Sequence, residues 1–432
     1  MDTSKKEILI IAKNFIPYYP TIGGIMRVLT LCEFLLSRNY NVHVISSKGY
    51  FFGYFGYEDL LKRIKVTYIE DKWNVKQSKG FHYNIKGLQS GKKETGIFSS
   101  YLRLRRKIFK NIIIPDIGIF VVPKFYSEAK KIILKNNIKN VIISSPPHSI
   151  QLVGLRLKKY FNNKINLIVD YRDSWNTTKI FRKDYRIFRF LSELMEKKVL
   201  KKANYFTFIS SPMLEKVQKK YQLDLVDKSR LIMNGYRSLN IHNDKNNDKN
   251  NDKGNKIRVG YFGIISDDPS SYRNITPLFE IVNENSQVFE DIEFHFYGVL
   301  RSTNKDIINR EHFFIHDSLS HKDALMEMRR MDFLMTVHSD PESSDEVITG
   351  KFFEYIASQK PIVCLSPKNM EARRLIDQYG IGITINIQDK REMIEKFDKL
   401  KSYVNYDFYS SVDINIFKRE KQYETFITIF ED

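Results

Sequence analysis

The chain has 432 residues with 42% hydrophobic and 13% aromatic content, enough to bury two cores and too much for global disorder. Its formal net charge of +19 leaves three explanations: nucleic acid, an anionic membrane surface, or a composition simply rich in Lys and Asn. No apolar run reaches the roughly 18 residues of a bilayer span, and Cys32 and Cys364 alone do not support a disulfide framework, so a reducing cytosol is expected.

Lys5-Lys6 and the apolar ILIIA open the chain, and Lys13 interrupts them before the length of a signal core is reached. This stretch is expected to be a buried strand over 8–12. The turn Pro20-Thr21-Ile22-Gly23-Gly24 leads into a helix over 24–38 and a strand over 42–46. Paired glycines at such a turn let the backbone approach a phosphate or a sugar, or serve the turn alone. Residues 51–100 mix Gly, Tyr and Lys without a pattern. The run 101–110, YLRLRRKIFK, alternates leucines and basic residues, as a solvated helix face or a basic helix on anionic lipid would. Further basic runs occupy 182–189 and 197–202. No zinc-finger spacing, RNP-like aromatic strand or basic zipper is present, so no nucleic-acid partner is expected.

Strands are expected over 141–144, 167–170 and 205–210, with a helix over 149–161 and a long basic helix ending near 203. The segment 239–256, LNIHNDKNNDKNNDKGNK, has almost no apolar content and reads as a solvated linker. Strands then resume over 258–262, 292–297, 313–315, 333–336, 361–365 and 382–385, and a last helix covers 416–430. Strands alternating with helices predict parallel sheets covered by helices. The expected division is a first domain over 1–238, the linker 239–256 and a second domain over 257–412, with the segment 413–432 packing back on the first.

Polar clusters at strand ends are the candidate chemistry, since open α/β sheets place ligands there. Ser144-Ser145-Pro146-Pro147-His148-Ser149 follows one buried strand, and His148 suits a hydroxyl or phosphate contact. Asp170-Tyr171-Arg172-Asp173-Ser174-Trp175 follows the next. Charges there are costly unless paired, so either an Arg–Asp pair locks the loop or Arg172 and Asp173 meet a ligand. Trp175 shelters a sugar face or joins the core. Arg273 follows Tyr261-Phe262-Gly263 and suits a diphosphate leaving group. His312, His316 and His321 lack an acidic or Cys partner in the pattern, and no metal is expected. The most informative stretch is 341–365, where Glu346 and Glu354 stand eight positions apart around Gly350-Lys351 at a helix start. A helix N-terminus favours an anion, and carboxylates suit sugar hydroxyls, which together suggest a nucleotide sugar.

As a set these residues resemble a GT-B glycosyltransferase of the retaining family-4 type. The resemblance rests on the ILII…P…GG…R opening, Ser-Pro-Pro-His-Ser, and DYRDSW beside the Asp-Phe-Arg-Asp-Pro-Trp signature of one bacterial branch. It continues through Ile209-Ser210, Met233-Asn234-Gly235-Tyr236, Tyr261-Phe262-Gly263 and the Glu346/Glu354 pattern. It implies two Rossmann-like, doubly wound parallel-sheet domains facing across a cleft. Glu354 would take the donor ribose, Glu346 the donor sugar, and Arg273, Lys351, Gly350 and Gly263 the diphosphate side. Gly23 and Gly24 would approach phosphate or acceptor, and His148 the transferred sugar. The implied donor is a UDP-sugar without a metal, and the implied acceptor a lipid-linked or glycan precursor of lipopolysaccharide, O-antigen or capsule, reached peripherally at the inner face of the plasma membrane. Ser174 replaces the signature Pro, and the Arg/Lys-Gly element usual after the Gly263 strand is reduced to Ser271-Tyr272-Arg273-Asn274. The rival readings are a nucleotide-sugar 2-epimerase of the same fold and a non-catalytic basic protein that binds nucleic acid or membrane.

Overall fold

The computed structural model describes residues 6–20, 23–72, 111–178, 182–237, 256–269, 271–301, 311–340 and 345–431. The basic run 101–110, nearly all of the linker 239–256 and the segment Pro341-Glu342-Ser343-Ser344 lie outside them. The chain divides into two compact units, one of Met1–Ile209, Met213–Ile232 and Tyr423–Asp432, the other of Ser210–Pro212 and Met233–Gln422.

The first unit holds seven parallel strands: β1 (Lys6–Ile11), β2 (Tyr40–Lys48), β3 (Lys65–Glu70), β4 (Asn140–Ser145), β5 (Asn166–Tyr171), β6 (Tyr205–Phe208) and β7 (Ser229–Leu231). Their order is β3-β2-β1-β4-β5-β6-β7. Successive side chains of a strand point to opposite faces, so an apolar run serves two cores. Leu9, Ile11, Val141, Ile143, Leu167 and Val169 enter one core, and Ile8, Ile10, Ile142 and Ile168 the other. The second core also takes Val28, Leu29 and Leu35 of helix Met26–Ser37 and Tyr423, Phe426 and Ile429 of helix Arg419–Glu431. The Tyr423 hydroxyl donates to the Arg27 carbonyl at 3.0 Å and shares a 2.9 Å hydrogen bond with Thr30.

The second unit repeats the plan with β8 (Ile257–Ser266), β9 (Ile292–Arg301), β10 (Phe313–His316), β11 (Phe333–Val337), β12 (Ile362–Leu365) and β13 (Gly382–Ile385), all parallel in the order β10-β9-β8-β11-β12-β13. Val259, Met335, Val363 and Leu365 enter one core; Phe262, Leu334, Ile362 and Cys364 enter the other. Cys32 and Cys364 are both free and buried. In each sheet the chain leaves the centre in both directions, and loops at the switch point, between β1 and β4 and between β8 and β11, splay apart above the strand ends. Those two places hold most of the candidate residues.

Several strand boundaries differ from expectation, most of all the ends of β8 and β9, which reach Ser266 and Arg301 where 262 and 297 were expected. β8 does not stop at Phe262 but runs on to Ser266 and carries Gly263 within it. Gly263 pairs with Gly298 of β9, at φ of +151° and +139°, and a Cβ on Gly298 would stand 2.3 Å from the Gly263 carbonyl oxygen. At Gly298 the strands approach where any side chain would collide, whereas at Gly263 an added Cβ would make only ordinary contacts and it is the positive φ that favours glycine. β3 falls in the stretch without a legible pattern.

Candidate active site

In the first unit, Arg172 is the organising side chain at the switch point. Its Nε donates to the Ser145 carbonyl at 3.2 Å, Nη2 to Pro146 at 2.8 Å, and Nη1 to the Gly24 carbonyl. The loop after β5 thereby ties the loops after β1 and β4 together. An Arg–Asp pair is one of the two readings of this loop from sequence, and the hydrogen-bonded partner of Asp170 is not Arg172. Asp170 is buried and pairs instead with Arg27 at 2.8 Å, while Ser144 and Thr207 also donate to it. Burial pushes Arg172 down from its ordinary value, partly offset by Asp173, and pushes the neighbouring Asp173 carboxyl up. Gly24 packs under Tyr19, where a Cβ would meet the ring at 2.8 Å, whereas Gly23 faces open space.

His148 opens the short 3-10 turn His148–Ile150 and is 2% exposed. Its ring stacks on Trp175 with centroids 5.4 Å apart and planes 7° apart. Burial lowers its pKa to about 4 against the pull of Asp116, so the imidazole is neutral at physiological pH. Asp116 in turn accepts from the Ser149 amide at 3.0 Å and from the Ser149 hydroxyl. Trp175 is a core residue: it is 1% exposed, and its indole N–H donates to Ser192 at 3.0 Å. It supports His148 from behind and offers no open face to a sugar.

In the second unit the switch-point loops are knit by Ser339, which follows β11. Its amide donates to the Tyr272 carbonyl at 2.9 Å and its hydroxyl to the Ser271 carbonyl at 2.8 Å. The Arg273 guanidinium lies 4.9 Å from the Tyr272 ring centre, and that ring stacks on His338 at 6.4 Å. His338 is 1% exposed, and burial followed by the Arg273 charge lowers its pKa to about 4. Its Nδ1 is buried without a hydrogen-bond partner among the described residues, which is costly unless a ligand or water supplies one. His338 and Tyr272 were not singled out from sequence. The available signal was His338-Ser339 directly after the buried run FLMTV, a pattern related to His148-Ser149, which follows its own strand after Pro146-Pro147.

Helix Gly350–Ser358 starts beyond this loop, with Thr349 as N-cap and no side chain capping its first turn. Gly350 faces open space. One turn in, the Glu354 carboxylate meets Lys351 Nζ at 2.8 Å and His321 Nε2 at 3.1 Å. Burial raises Glu354, but the His321 hydrogen bond and the Lys351 charge outweigh it, and the group sits below its ordinary value. Lys351, expected to face a diphosphate, is held by Glu354. Glu346 is 1% exposed in the turn before the helix. His312 hydrogen-bonds Ser286, His316 stacks on His295, and His321 serves Glu354. Among the described residues no group of three His, Cys, Asp or Glu is placed to hold a metal ion.

Two successive Rossmann sheets of this order define the GT-B fold. The chain superimposes on a glycosyltransferase from Rickettsia africae ESF-5 with a TM-score of 0.60 and 13% identity, covering 99% of this chain and 98% of the other. It also matches the trehalose-6-phosphate phosphatase N-terminal domain of Candida albicans at a TM-score of 0.62 and 10% identity, covering 99% and 97%. Anabaena HepE, solved in complex with UDP and glucose, matches at 0.55 and 12%, again covering 99% and 97%. At such identities the likeness shows the fold. No protein-family profile matches the chain, and no curated protein matches it in sequence.

Proposed function

We propose that this protein is a retaining glycosyltransferase that moves a sugar, from a nucleotide-sugar donor of the UDP type, onto a lipid-linked or glycan precursor of a surface polysaccharide. The observation that carries this reading is the second-unit cluster: Glu354 one turn into its helix with Lys351, and a switch-point loop bearing Arg273 and His338, whose Nδ1 has no hydrogen-bond partner among the described residues. A carboxylate one turn into a helix suits vicinal ribose hydroxyls. The uncapped N-terminus at Gly350 suits a diphosphate. On donor binding, Lys351 would exchange Glu354 for phosphate oxygen, and Arg273 would stabilise the departing diphosphate. In the first unit, neutral His148 would accept or donate a hydrogen bond at the transferred sugar, its ring fixed by Trp175.

A thermal-shift screen of UDP, GDP, ADP, CMP and their sugar conjugates tests the reading. A ligand that binds only the native state raises the melting temperature by mass action. A clear rise with one nucleoside diphosphate and its sugar conjugate is expected, and no rise with any of them overturns the proposal. Conversion of the donor sugar without acceptor, seen by mass spectrometry, would favour the 2-epimerase instead.

A further inference from the structure

Helix Arg186–Lys202 in the first unit carries a fully buried carboxyl, Glu196. The two groups that donate to it are neutral: the Tyr221 hydroxyl at 2.6 Å and the Asn176 amide at 2.7 Å, both to Oε2. Two routes run from this carboxyl to His148. In the first, Asn176 Oδ1 accepts from the Ser192 hydroxyl at 2.9 Å, and Ser192 accepts from the Trp175 indole at 3.0 Å. Trp175 in turn carries the His148 ring on its face. In the second, Tyr171 at the end of β5 interacts with both Glu196 and Gln151. The Gln151 amide donates to Ser145 Oγ at 2.8 Å, in the loop that leads to His148.

The second route is short of one proton. Glu196 Oε1, Gln151 Oε1 and the Tyr171 hydroxyl are all buried without a hydrogen-bond partner among the described residues. With Glu196 ionised, the Tyr171 O–H is one donor for two acceptors, and a buried acceptor left over is costly. With Glu196 protonated the count closes: its O–H donates to the Tyr171 oxygen, and the Tyr171 O–H donates to Gln151. Oε2 goes on accepting from Tyr221 and Asn176. Burial raises the Glu196 carboxyl to about 7, against those two donors and the Lys220 charge. The titratable groups that face it are Tyr171, Tyr221 and Lys220. Burial pushes both phenols up, and Lys220 is bonded to Glu193 at 2.6 Å, so Glu196 is the group of this cluster that changes charge near neutral pH.

We propose that Glu196 is a positioning residue for His148 and that its proton is the switch: with the proton bound both routes are complete and His148 is held in place, and with the proton released the platform loosens. The consequence for turnover rests on the transfer reading above; the titration does not. The chain has two tryptophans, Trp73 and Trp175, so Trp73→Phe leaves Trp175 as the emission reporter in the full chain. Its emission is expected to follow a one-proton transition at about 7, well clear of His148 at about 4. Glu196→Gln supplies an amide donor where the acid had its O–H, so its emission should stay at the low-pH value throughout. The kcat for transfer should fall as pH rises through the same midpoint in the unaltered chain and stay level in Glu196→Gln, with UDP affinity alike in both. A role in packing alone would lower the melting temperature of Glu196→Gln without moving its pH profile. Asp173, two residues before Trp175 and also raised by burial, is untouched in that variant, so a transition that survives there belongs to Asp173 and overturns the proposal. The absence of any transition does the same. Ser192→Ala cuts the link from Asn176 to Trp175 and leaves the carboxyl, so it should shrink the amplitude without moving the midpoint, and full amplitude overturns the first route. Emission needs neither donor nor acceptor, so a flat curve leaves the transfer reading intact, and a chain that titrates but transfers nothing leaves the switch intact.

Discussion

The Arg27 guanidinium and the Asp170 carboxylate, 143 positions apart, meet at 2.8 Å with both side chains buried. Arg27 also donates to the Ile232 carbonyl at 2.9 Å. The pair joins helix Met26–Ser37 to the end of β5 beneath the Gly24 and Ser145 loops. Burial pushes the Asp170 carboxyl up, but Arg27, Thr207 and Ser144 together hold it below its ordinary value. Its stabilisation is therefore present above the unfolded-state pKa and is lost as pH falls through the lower folded value. Removing one partner leaves the other charge buried alone. Asp170→Ala should cost about 3–5 kcal/mol in urea unfolding at neutral pH, and Arg27→Met/Asp170→Leu should recover most of that. A cost of under about 1 kcal/mol for Asp170→Ala would mean the pair does not hold these loops.

Glu354 is the sharpest test of donor binding. It is accessible enough to reach a ligand, and its partners Lys351 and His321 are themselves partly exposed. Glu354→Ala should leave the melting temperature within a few degrees of the original. Losing charged hydrogen bonds to ribose should weaken UDP binding roughly tenfold to a hundredfold by calorimetry. Lys351→Met should weaken UDP more than uridine, because an ammonium answers phosphate and not base. Unchanged UDP affinity in a folded Glu354→Ala protein would remove the ribose assignment.

The strands were legible wherever an apolar run was buried on both faces, as at Ile8–Ile11 and Leu334–Val337, because two cores demand an unbroken sequence signal. The edge strand Lys65–Glu70 was not, since most of its side chains are half-exposed and its residues mix charge with β-branching. The ends of β8 and β9 were placed at 262 and 297, and it is their pairing with one another that carries them to Ser266 and Arg301. At the site, polar clusters after buried strands marked His148 and Arg172. The partner of Asp170 was illegible: Arg172 is two residues away in sequence, and nothing local points to Arg27.

His148 and His338 give a pH signature. Burial lowers both to about 4; Asp116 and Arg172 act on His148, and Arg273 on His338. Between that value and the unfolded-state pKa of roughly 6.5, the unfolded chain binds more protons than the folded one. Stability therefore rises with pH across this window, is complete above it and is lost below about pH 4. His338→Asn, which does not titrate, should flatten the slope of unfolding free energy by up to one proton between these limits. His148→Ala should do likewise and should lower turnover more than UDP affinity. An unchanged slope in both variants would mean the imidazoles titrate normally.

Two glycines separate backbone necessity from ligand approach. Gly298 sits at φ +139°, and a Cβ there would collide with the Gly263 backbone at 2.3 Å, a contact no rotamer relieves. Gly298→Ala should therefore destabilise the second unit by roughly 3 kcal/mol or more, through strain and loss of the β8–β9 ladder. Gly350 differs, having ordinary φ and no atom within 4 Å of an added Cβ. Gly350→Ala should raise stability by about 0.4–1 kcal/mol, by narrowing the unfolded ensemble at a helical position. If a diphosphate lies against the Gly350 backbone, the same methyl should crowd it and weaken UDP binding. Greater stability with lower UDP affinity is thus the expected pair of results by denaturation and calorimetry. Greater stability with unchanged affinity would move the diphosphate away from this helix N-terminus.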